Sequence, residues 1–248
     1  MKQSSISSLA AALFCAVSLV PLAACAKPTD APVHFRVELD RPVLPADSPQ
    51  RVVLKVALDC PRLPRAGTRP PVNLTLVLDR SGSMNGEKIE RAKDAAVEAV
   101  RRLAPDDVFS LVIFDHEVET LIPACRVGDR RELEASIRSI RARGNTAIYG
   151  GVTQGAAELR KHLEDRRYTH RLVLLSDGLA NNGPSQPDDF ARLGAALGRE
   201  GISVSTVGLG LDYNEDLMTR LSSRSDGNTY FGSWSRDLPG IFSAELGD

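Results

Sequence analysis

Three short polar clusters carry residue types that can hold a hard metal ion. They lie at residues 79–84, 144–147 and 176–178. The side chains with suitable oxygens are the carboxylates of Asp79 and Asp177 and the hydroxyls of Ser81, Ser83 and Thr146. Such an all-oxygen set suits Mg²⁺, Mn²⁺ or Ca²⁺. Because two carboxylates balance a divalent charge and hydroxyls add none, the ion would stay electrophilic toward a further oxygen ligand.

The pattern of apolar residues predicts a scaffold that brings these clusters together. From residue 73 onward, short apolar runs alternate with segments of helical period. The predicted strands are 74–78, 108–114, 118–122, 172–175, 202–207 and 229–231, and the predicted helices are 89–103, 133–140, 148–163, 190–197, 217–221 and 238–246. This order predicts an α/β fold with an open, doubly wound, mostly parallel sheet and helices on both faces. A hairpin around residues 115–116 supplies one antiparallel edge strand.

The first and third clusters directly follow predicted strands. Ligands of open α/β sheets lie outside the carboxyl ends of the strands, where the strand order reverses. Gly82 lets the chain bend so that Ser81 and Ser83 can converge. A simpler explanation is that Ser and Asp at strand ends serve as turn and cap residues, in which case Ser83 or Asn85 would cap the next helix.

The combined motif resembles the metal-ion-dependent adhesion site of von Willebrand factor A domains. The matching parts are Asp79-x-Ser81-x-Ser83, Thr146 in the tripeptide G-N-T, and Asp177 in L-S-D-G, and the resemblance covers about residues 73–246. It implies that Ser81, Ser83 and Thr146 contact a metal ion or its bound water. It also implies that Asp79 and Asp177 act directly or through water, and that an open coordination position accepts a carboxylate from a ligand.

The resemblance predicts a binding module rather than an enzyme. The cofactor is expected to be Mg²⁺, with Mn²⁺ or Ca²⁺ as alternatives, and the partner an unidentified protein that presents an acidic residue. Two other functions stay open: a metal-dependent hydrolase, and a structural subunit of an envelope complex whose metal braces loops. A hydrolase would need a general base beside the metal, and no motif places one.

The N-terminus reads as an export signal of the bacterial lipoprotein type. Residues 1–24 contain one Lys and an apolar run that begins at residue 9, as signal peptides do. The sequence Leu22-Ala23-Ala24-Cys25 resembles a lipobox, which makes Cys25 the lipidated residue. An ordinary cleavage site at residues 24–26 is the alternative. The protein is therefore predicted to be exported and lipid-anchored in the cell envelope, on the periplasmic side of the outer membrane in a Gram-negative host.

Composition shifts divide the rest of the chain. The predicted segments after the signal peptide are a tether at 25–32, a β segment at 33–60, a linker at 61–72 and the A domain at 73–248. Cys60 and Cys125 could form a disulfide in an oxidising compartment, or remain two free thiols. With 31 basic and 32 acidic residues and 5% aromatics, the chain has neither the charge nor the stacking surface of a nucleic-acid-binding protein.

Overall fold

The protein is described from a computed structural model that covers residues 34–40, 51–59, 69–177, 180–210, 213–232 and 238–246. The chain divides into two units, Met1–Ala66 and Gly67–Asp248. The predicted signal peptide, the lipidation residue Cys25, the tether and Cys60 all lie outside the described residues. In the described part, no helix combines the length and apolar character needed to cross a membrane.

The first unit contains an antiparallel hairpin of β1 (His34–Leu39) and β2 (Leu54–Asp59). Alternation places the apolar residues on one face, where they pair across the strands and are 49–63% exposed; they are Phe35, Val37, Leu39, Leu54, Val56 and Leu58. The charged residues lie on the other face, with an ion pair between Arg36 and Asp59 at 3.1 Å. The sequence therefore shows which face is apolar, and that face is exposed in the structure.

The second unit is built on a six-stranded sheet with the order β5-β4-β3-β6-β7-β8. The strands are β3 (Val72–Asp79), β4 (Val108–Phe114), β5 (Val118–Arg126), β6 (Thr169–Ser176), β7 (Ile202–Leu209) and β8 (Thr229–Gly232). All neighbours are parallel except β5, which pairs antiparallel with β4 at the edge. The near-continuous apolar character of β3 and β4 follows from this position, because central parallel strands are buried on both faces.

In the part of this unit that the structure describes, six helices cover the two faces of the sheet. They are α1 (Glu87–Arg102), α2 (Arg130–Arg138), α3 (Ile148–Arg160), α4 (Pro187–Arg199), α5 (Glu215–Ser223) and α6 (Leu238–Leu246). Apolar residues of α1, α2 and α6 pack in one core cluster, and those of α3, α4 and α5 pack in the other. Since the two clusters take alternate residues of β3, they lie on opposite faces of the sheet. The predicted doubly wound α/β fold is confirmed.

Several element boundaries differ from the prediction by a few residues, and two of these differences have a clear local cause. Strand β5 continues to Arg126 instead of ending at residue 122, and it includes Pro123, which an edge strand tolerates because one of its sides needs no ladder hydrogen bonds. Helix α2 ends at Arg138, although the buried Ile140 continues the apolar pattern. Ile140 keeps its apolar contact from the turn that follows the helix, where its N–H bonds to the carbonyl of Ile137.

Candidate metal centre

The candidate site lies at the carboxyl ends of β3 and β6, two neighbouring parallel strands in the centre of the sheet. After β3 the chain adds β4 on one side, and it later returns to place β6 on the other side. Ligands of open α/β sheets bind where the strand order reverses in this way. Asp79 ends β3 and Ser176 ends β6, and the Ser176 hydroxyl donates a 2.5 Å hydrogen bond to Asp79 Oδ2.

The Asp79 carboxylate is fully buried and accepts its hydrogen bonds from neutral donors. Its Oδ1 accepts from the backbone N–H of Ser81 at 2.7 Å. Burial raises the pKa of Asp79 from 3.8 to about 6, with a smaller increase from the charge of Asp177, while the bonds from Ser176 and Ser81 lower it. Among the described residues, no basic side chain forms an ion pair with Asp79 that would favour its ionised form. A divalent cation would supply that charge, so the residues present fit such an ion.

Hydrogen bonds connect the two serines of the first loop to the second carboxylate. The hydroxyls of Ser81 and Ser83 lie 3.1 Å apart, and Ser83 Oγ donates to Asp177 Oδ1 at 2.9 Å. A short 3-10 turn at Gly82–Met84 holds this loop, with Met84 N–H donating to the carbonyl of Ser81 at 3.0 Å. Residues 94 positions apart in the chain therefore belong to one polar cluster.

The simpler explanation of these polar residues as helix caps does not hold for α1. This helix begins at Glu87, and its N-cap is Gly86, with no side-chain cap hydrogen bond. Ser83 instead directs its hydroxyl to Asp177, and Asn85 follows the short turn without capping the helix.

Backbone hydrogen bonds bring the Thr146 loop to the serine loop. The Gly82 N–H donates to the carbonyl of Gly144 at 2.9 Å, and the Arg143 N–H donates to the carbonyl of Arg80 at 2.6 Å. Gly144 has a positive φ of 69°, which favours glycine at this turn. Thr146 itself is buried. Its loop is thus fixed beside Ser81 and Ser83 by main-chain contacts, which no side-chain motif describes.

The loop after β6 also bonds to Thr146. Asn181 Oδ1 accepts from the Thr146 N–H at 2.8 Å, and the N–H groups of Asn181 and Asn182 both donate to the Thr146 carbonyl at 3.2 Å. The Asn182 side-chain amide donates to the carbonyl of His116. The asparagines therefore tie the position of Thr146 to the loop that borders Asp177.

Sequence reasoning missed one cation in this cluster. Lys88, the second residue of α1, forms an ion pair through Nζ with Asp177 Oδ2. One carboxylate oxygen of Asp177 therefore accepts from the Ser83 hydroxyl, and the other accepts from the Lys88 ammonium. No ligand motif includes this lysine, because its contact depends on how α1 sits against the end of β6.

A second acidic group lies nearby at Asp115, His116 and Glu117, and its charges are already paired. Asp115 Oδ2 accepts from Arg80 Nε at 2.9 Å and from Arg143 Nε at 2.8 Å, and Arg143 also pairs with Glu117. Although burial acts to raise the pKa of Asp115, the Glu117 N–H and the two guanidinium groups hold it below its usual value. Two arginines thus occupy the carboxylate that a metal would need.

The structure brings the five predicted ligands into one region. Direct hydrogen bonds connect Asp79, Ser81, Ser83 and Asp177, and Ser176 adds a further bond to Asp79. Backbone hydrogen bonds hold Thr146 beside them. Ser176 was part of a predicted cluster but had no predicted role. Cys125 is exposed, and Cys60 lies outside the described residues, so their pairing stays a prediction.

Fold and site together define a recognised class of domain. Residues 73–244 match the family model of the von Willebrand factor type A domain, so the chain belongs to that family. The family is one of metal-dependent adhesion and protein-interaction modules.

The chain is also similar in sequence to individual proteins. The uncharacterized protein sll0103 of Synechocystis sp. is 34% identical over 160 residues, which are 64% of this chain and 37% of that protein. This chain therefore matches little more than a third of that relative's length.

Two solved structures share the fold. A von Willebrand factor type A protein from Catenulispora acidiphila superposes with a TM-score of 0.63 at 18% identity, covering 78% of this chain and 44% of that chain. Proximal thread matrix protein 1 from the mussel byssus, in a form with a zinc-occupied MIDAS motif (the metal-ion-dependent adhesion site), gives a TM-score of 0.59 at 18% identity. It covers 71% of this chain and 46% of that chain.

Proposed function

We propose that this chain is a divalent-cation-dependent protein-binding module of the cell envelope. Ser81, Ser83 and Thr146 would hold the ion, and Asp79 and Asp177 would bind it directly or through water. The bound ion supplies an electrophilic position for a carboxylate of the protein ligand. The observation that carries the proposal is the hydrogen-bonded cluster of these residues at the carboxyl ends of β3 and β6.

Charge supports a cation at this site. Asp79 and Asp177 are both buried, and among the described residues Lys88 is the cation that pairs with Asp177, while Asp79 accepts from neutral donors. Burying two carboxylates against one ammonium leaves one of them uncompensated, which costs free energy. The mussel protein with zinc at the same kind of motif supports a divalent ion in general. The preference for Mg²⁺ rests on the all-oxygen donors alone.

The chemistry around the ligands supports binding over catalysis. In the described residues, the groups that hydrogen-bond to the five predicted ligands are hydroxyls, amides, backbone groups and one ammonium. No histidine or glutamate of the described part bonds to them as a general base would. A screen of the purified protein for phosphatase and esterase activity tests the alternative of a metal-dependent hydrolase.

The asparagine loop is the proposed selector of the ligand. Asn181 and Asn182 lie beside Thr146, and the segment of residues 181–184 is exposed. A ligand that reaches the metal would meet this segment next. Anchoring through a lipid on Cys25 would hold the module at the membrane, where its partner would also be found.

A pull-down tests the proposed function. The purified protein is immobilised and exposed to envelope extract under three conditions: with Mg²⁺, with EDTA, and with Mg²⁺ restored after EDTA treatment. We expect a partner that is retained with Mg²⁺, lost with EDTA and recovered on restoration. Asp79→Asn should lose that partner, whereas Asp94→Asn, an exposed aspartate that pairs with Arg138, should keep it. Equal retention with EDTA and in Asp79→Asn would contradict the proposal.

A further inference from the structure

Lys88 places its ammonium on a predicted metal ligand. Its Nζ pairs with Asp177 Oδ2, and the Asp177 carboxylate is almost entirely buried, while the Lys88 side chain is 39% exposed. The pair is therefore a partly solvated cation that reaches from the surface to a buried anion. The other oxygen of Asp177 accepts from Ser83, so the lysine contacts the same carboxylate that belongs to the serine cluster.

A glycine in the loop after β7 lies against the aliphatic part of the Lys88 side chain. Gly210, after β7, has a φ of 107°, and a Cβ there would lie 3.3 Å from Lys88 Cε. A side chain at residue 210 would be strained and would press on the lysine. The glycine thus leaves room for the Lys88 stem beside the loop that follows β7.

We propose that Lys88 is a built-in competitor for the metal: its ammonium occupies Asp177 in the metal-free protein, and an incoming ion must displace it. This inference rests on the proposed metal centre. In this role, the Lys88 ammonium lowers the affinity of the site for metal ions and favours divalent over monovalent ions.

The selection follows from charge. An ammonium neutralises one of the two buried carboxylates, Asp79 and Asp177. A monovalent ion would exchange one positive charge for another and would also lose its hydration shell, so it gains little. A divalent ion compensates both carboxylates, so it can displace the lysine, whose ammonium then returns to water.

Calorimetric titration with Mg²⁺ alone and with Mn²⁺ alone tests the affinity. We expect Lys88→Met to bind the metal roughly tenfold more tightly than wild type, because a site that the ammonium occupies most of the time has a reduced apparent affinity for the ion. Lys88→Met should also bind Na⁺ or K⁺ measurably, seen as competition against Mn²⁺. Arg91→Gln is the matched control, because Arg91 carries the same charge on the same helix and pairs with Glu87. Its metal affinity should stay within about twofold of wild type.

Chemical labelling of the wild-type protein gives a second readout that needs no variant of Lys88. The rate at which an amine-reactive acetylating reagent modifies Lys88, followed by peptide mass spectrometry, should rise when Mg²⁺ is added. The rate should not respond to Mg²⁺ in Asp79→Asn.

The two hypotheses fail in different ways. Equal or weaker metal affinity in Lys88→Met, or a Lys88 labelling rate that ignores Mg²⁺, would overturn the competitor role. Absence of metal binding in both wild type and Lys88→Met would overturn it as well, together with the metal centre. If the metal results hold and no metal-dependent partner is captured, only the proposed protein-binding function fails.

Discussion

Burial of the Asp79 side chain opposes the ionisation of its carboxyl group. In the folded, metal-free protein its pKa is about 6 instead of 3.8, chiefly because of burial. The folded state therefore holds this proton more tightly than the unfolded state does. The contribution of Asp79 to the free energy of unfolding is most favourable below pH 3.8 and is lost as the pH rises toward about 6.

Asp79→Asn should therefore stabilise the metal-free protein near neutral pH. The asparagine has nearly the same shape, can still accept from the Ser81 N–H, and carries no charge to bury. We expect a gain of roughly 2–3 kcal/mol in the free energy of unfolding near pH 7, and a much smaller gain near pH 4. Urea unfolding in EDTA at the two pH values measures it, with Asp94→Asn as the control. A destabilised variant, or equal effects at both pH values, would contradict this account of Asp79.

Thr146 tests whether the site captures a ligand or only holds an ion. Thr146→Ala removes one neutral oxygen and leaves both carboxylates, so Mg²⁺ should still bind, about tenfold more weakly. Partner capture should fall further, because the coordination geometry offered to an incoming carboxylate changes. Calorimetry and the pull-down measure the two effects, and Thr146→Ser should restore both. Full recovery of capture by saturating Mg²⁺ in Thr146→Ala would show that this residue serves metal affinity alone.

At the scale of single residues, sequence reasoning identified ligand types but not their neighbours. The five oxygen donors follow from a motif whose spacing is local for Asp79, Ser81 and Ser83. The contact between Lys88 and Asp177 joins residues 89 positions apart. Such a contact depends on the packing of a helix against the sheet, and nothing in the local pattern around either residue specifies it.

At the scale of elements, the close packing of α4 on α5 depends on Gly194. A Cβ at this position would lie well inside van der Waals contact with the backbone carbonyl of Leu221, which cannot move away easily. Gly194→Ala should lower the free energy of unfolding by about 1–3 kcal/mol. Gly240→Ala, in α6, is the control: apart from its own helix backbone, no atom of the described residues would lie within 4 Å of the new Cβ. We therefore expect no loss and up to about 1 kcal/mol of gain. Equal effects of the two substitutions in thermal unfolding would contradict this description of the α4–α5 contact.

The elements themselves were predictable because their apolar periods are strong. The runs at residues 108–114 and 172–175 could only be buried strands in this order of elements, and both are central in the sheet. The ends were less predictable where tertiary contacts decide them. Ile140 carries the apolar period of α2 beyond its end at Arg138, since a buried side chain can keep its contacts from a turn as well as from a helix.

At the scale of the whole molecule, the predicted lipid anchor on Cys25 would determine where the module works. Cys25→Ser should convert a membrane-associated protein into an uncleaved precursor or a soluble form, because stable anchoring needs more than one acyl chain. Detergent phase partitioning of wild type and variant from the native host measures this change. Identical partitioning of the two proteins would refute lipidation at Cys25.

The doubly wound sheet and the β hairpin were both predictable at this scale, whereas a partner for the exposed apolar face of the hairpin was not. Alternation in β1 and β2 assigns Phe35, Val37 and Val56 to one face, and pairing across the strands follows from it. The surface that would pack against these residues leaves no trace in their own spacing. Hydropathy thus specifies an amphipathic element without specifying its partner.

The proposed metal centre places a divalent cation in the cluster at the ends of β3 and β6. This claim is tested by growing crystals with Mn²⁺ and measuring their anomalous scattering. We predict one strong anomalous peak within about 2.5 Å of the hydroxyl oxygens of Ser81 and Ser83, the distance scale of hard cations and oxygen ligands. Asp79→Asn crystals should lack it. The absence of a peak in wild type, or a peak at the group of Asp115, His116 and Glu117 instead, would contradict the claim.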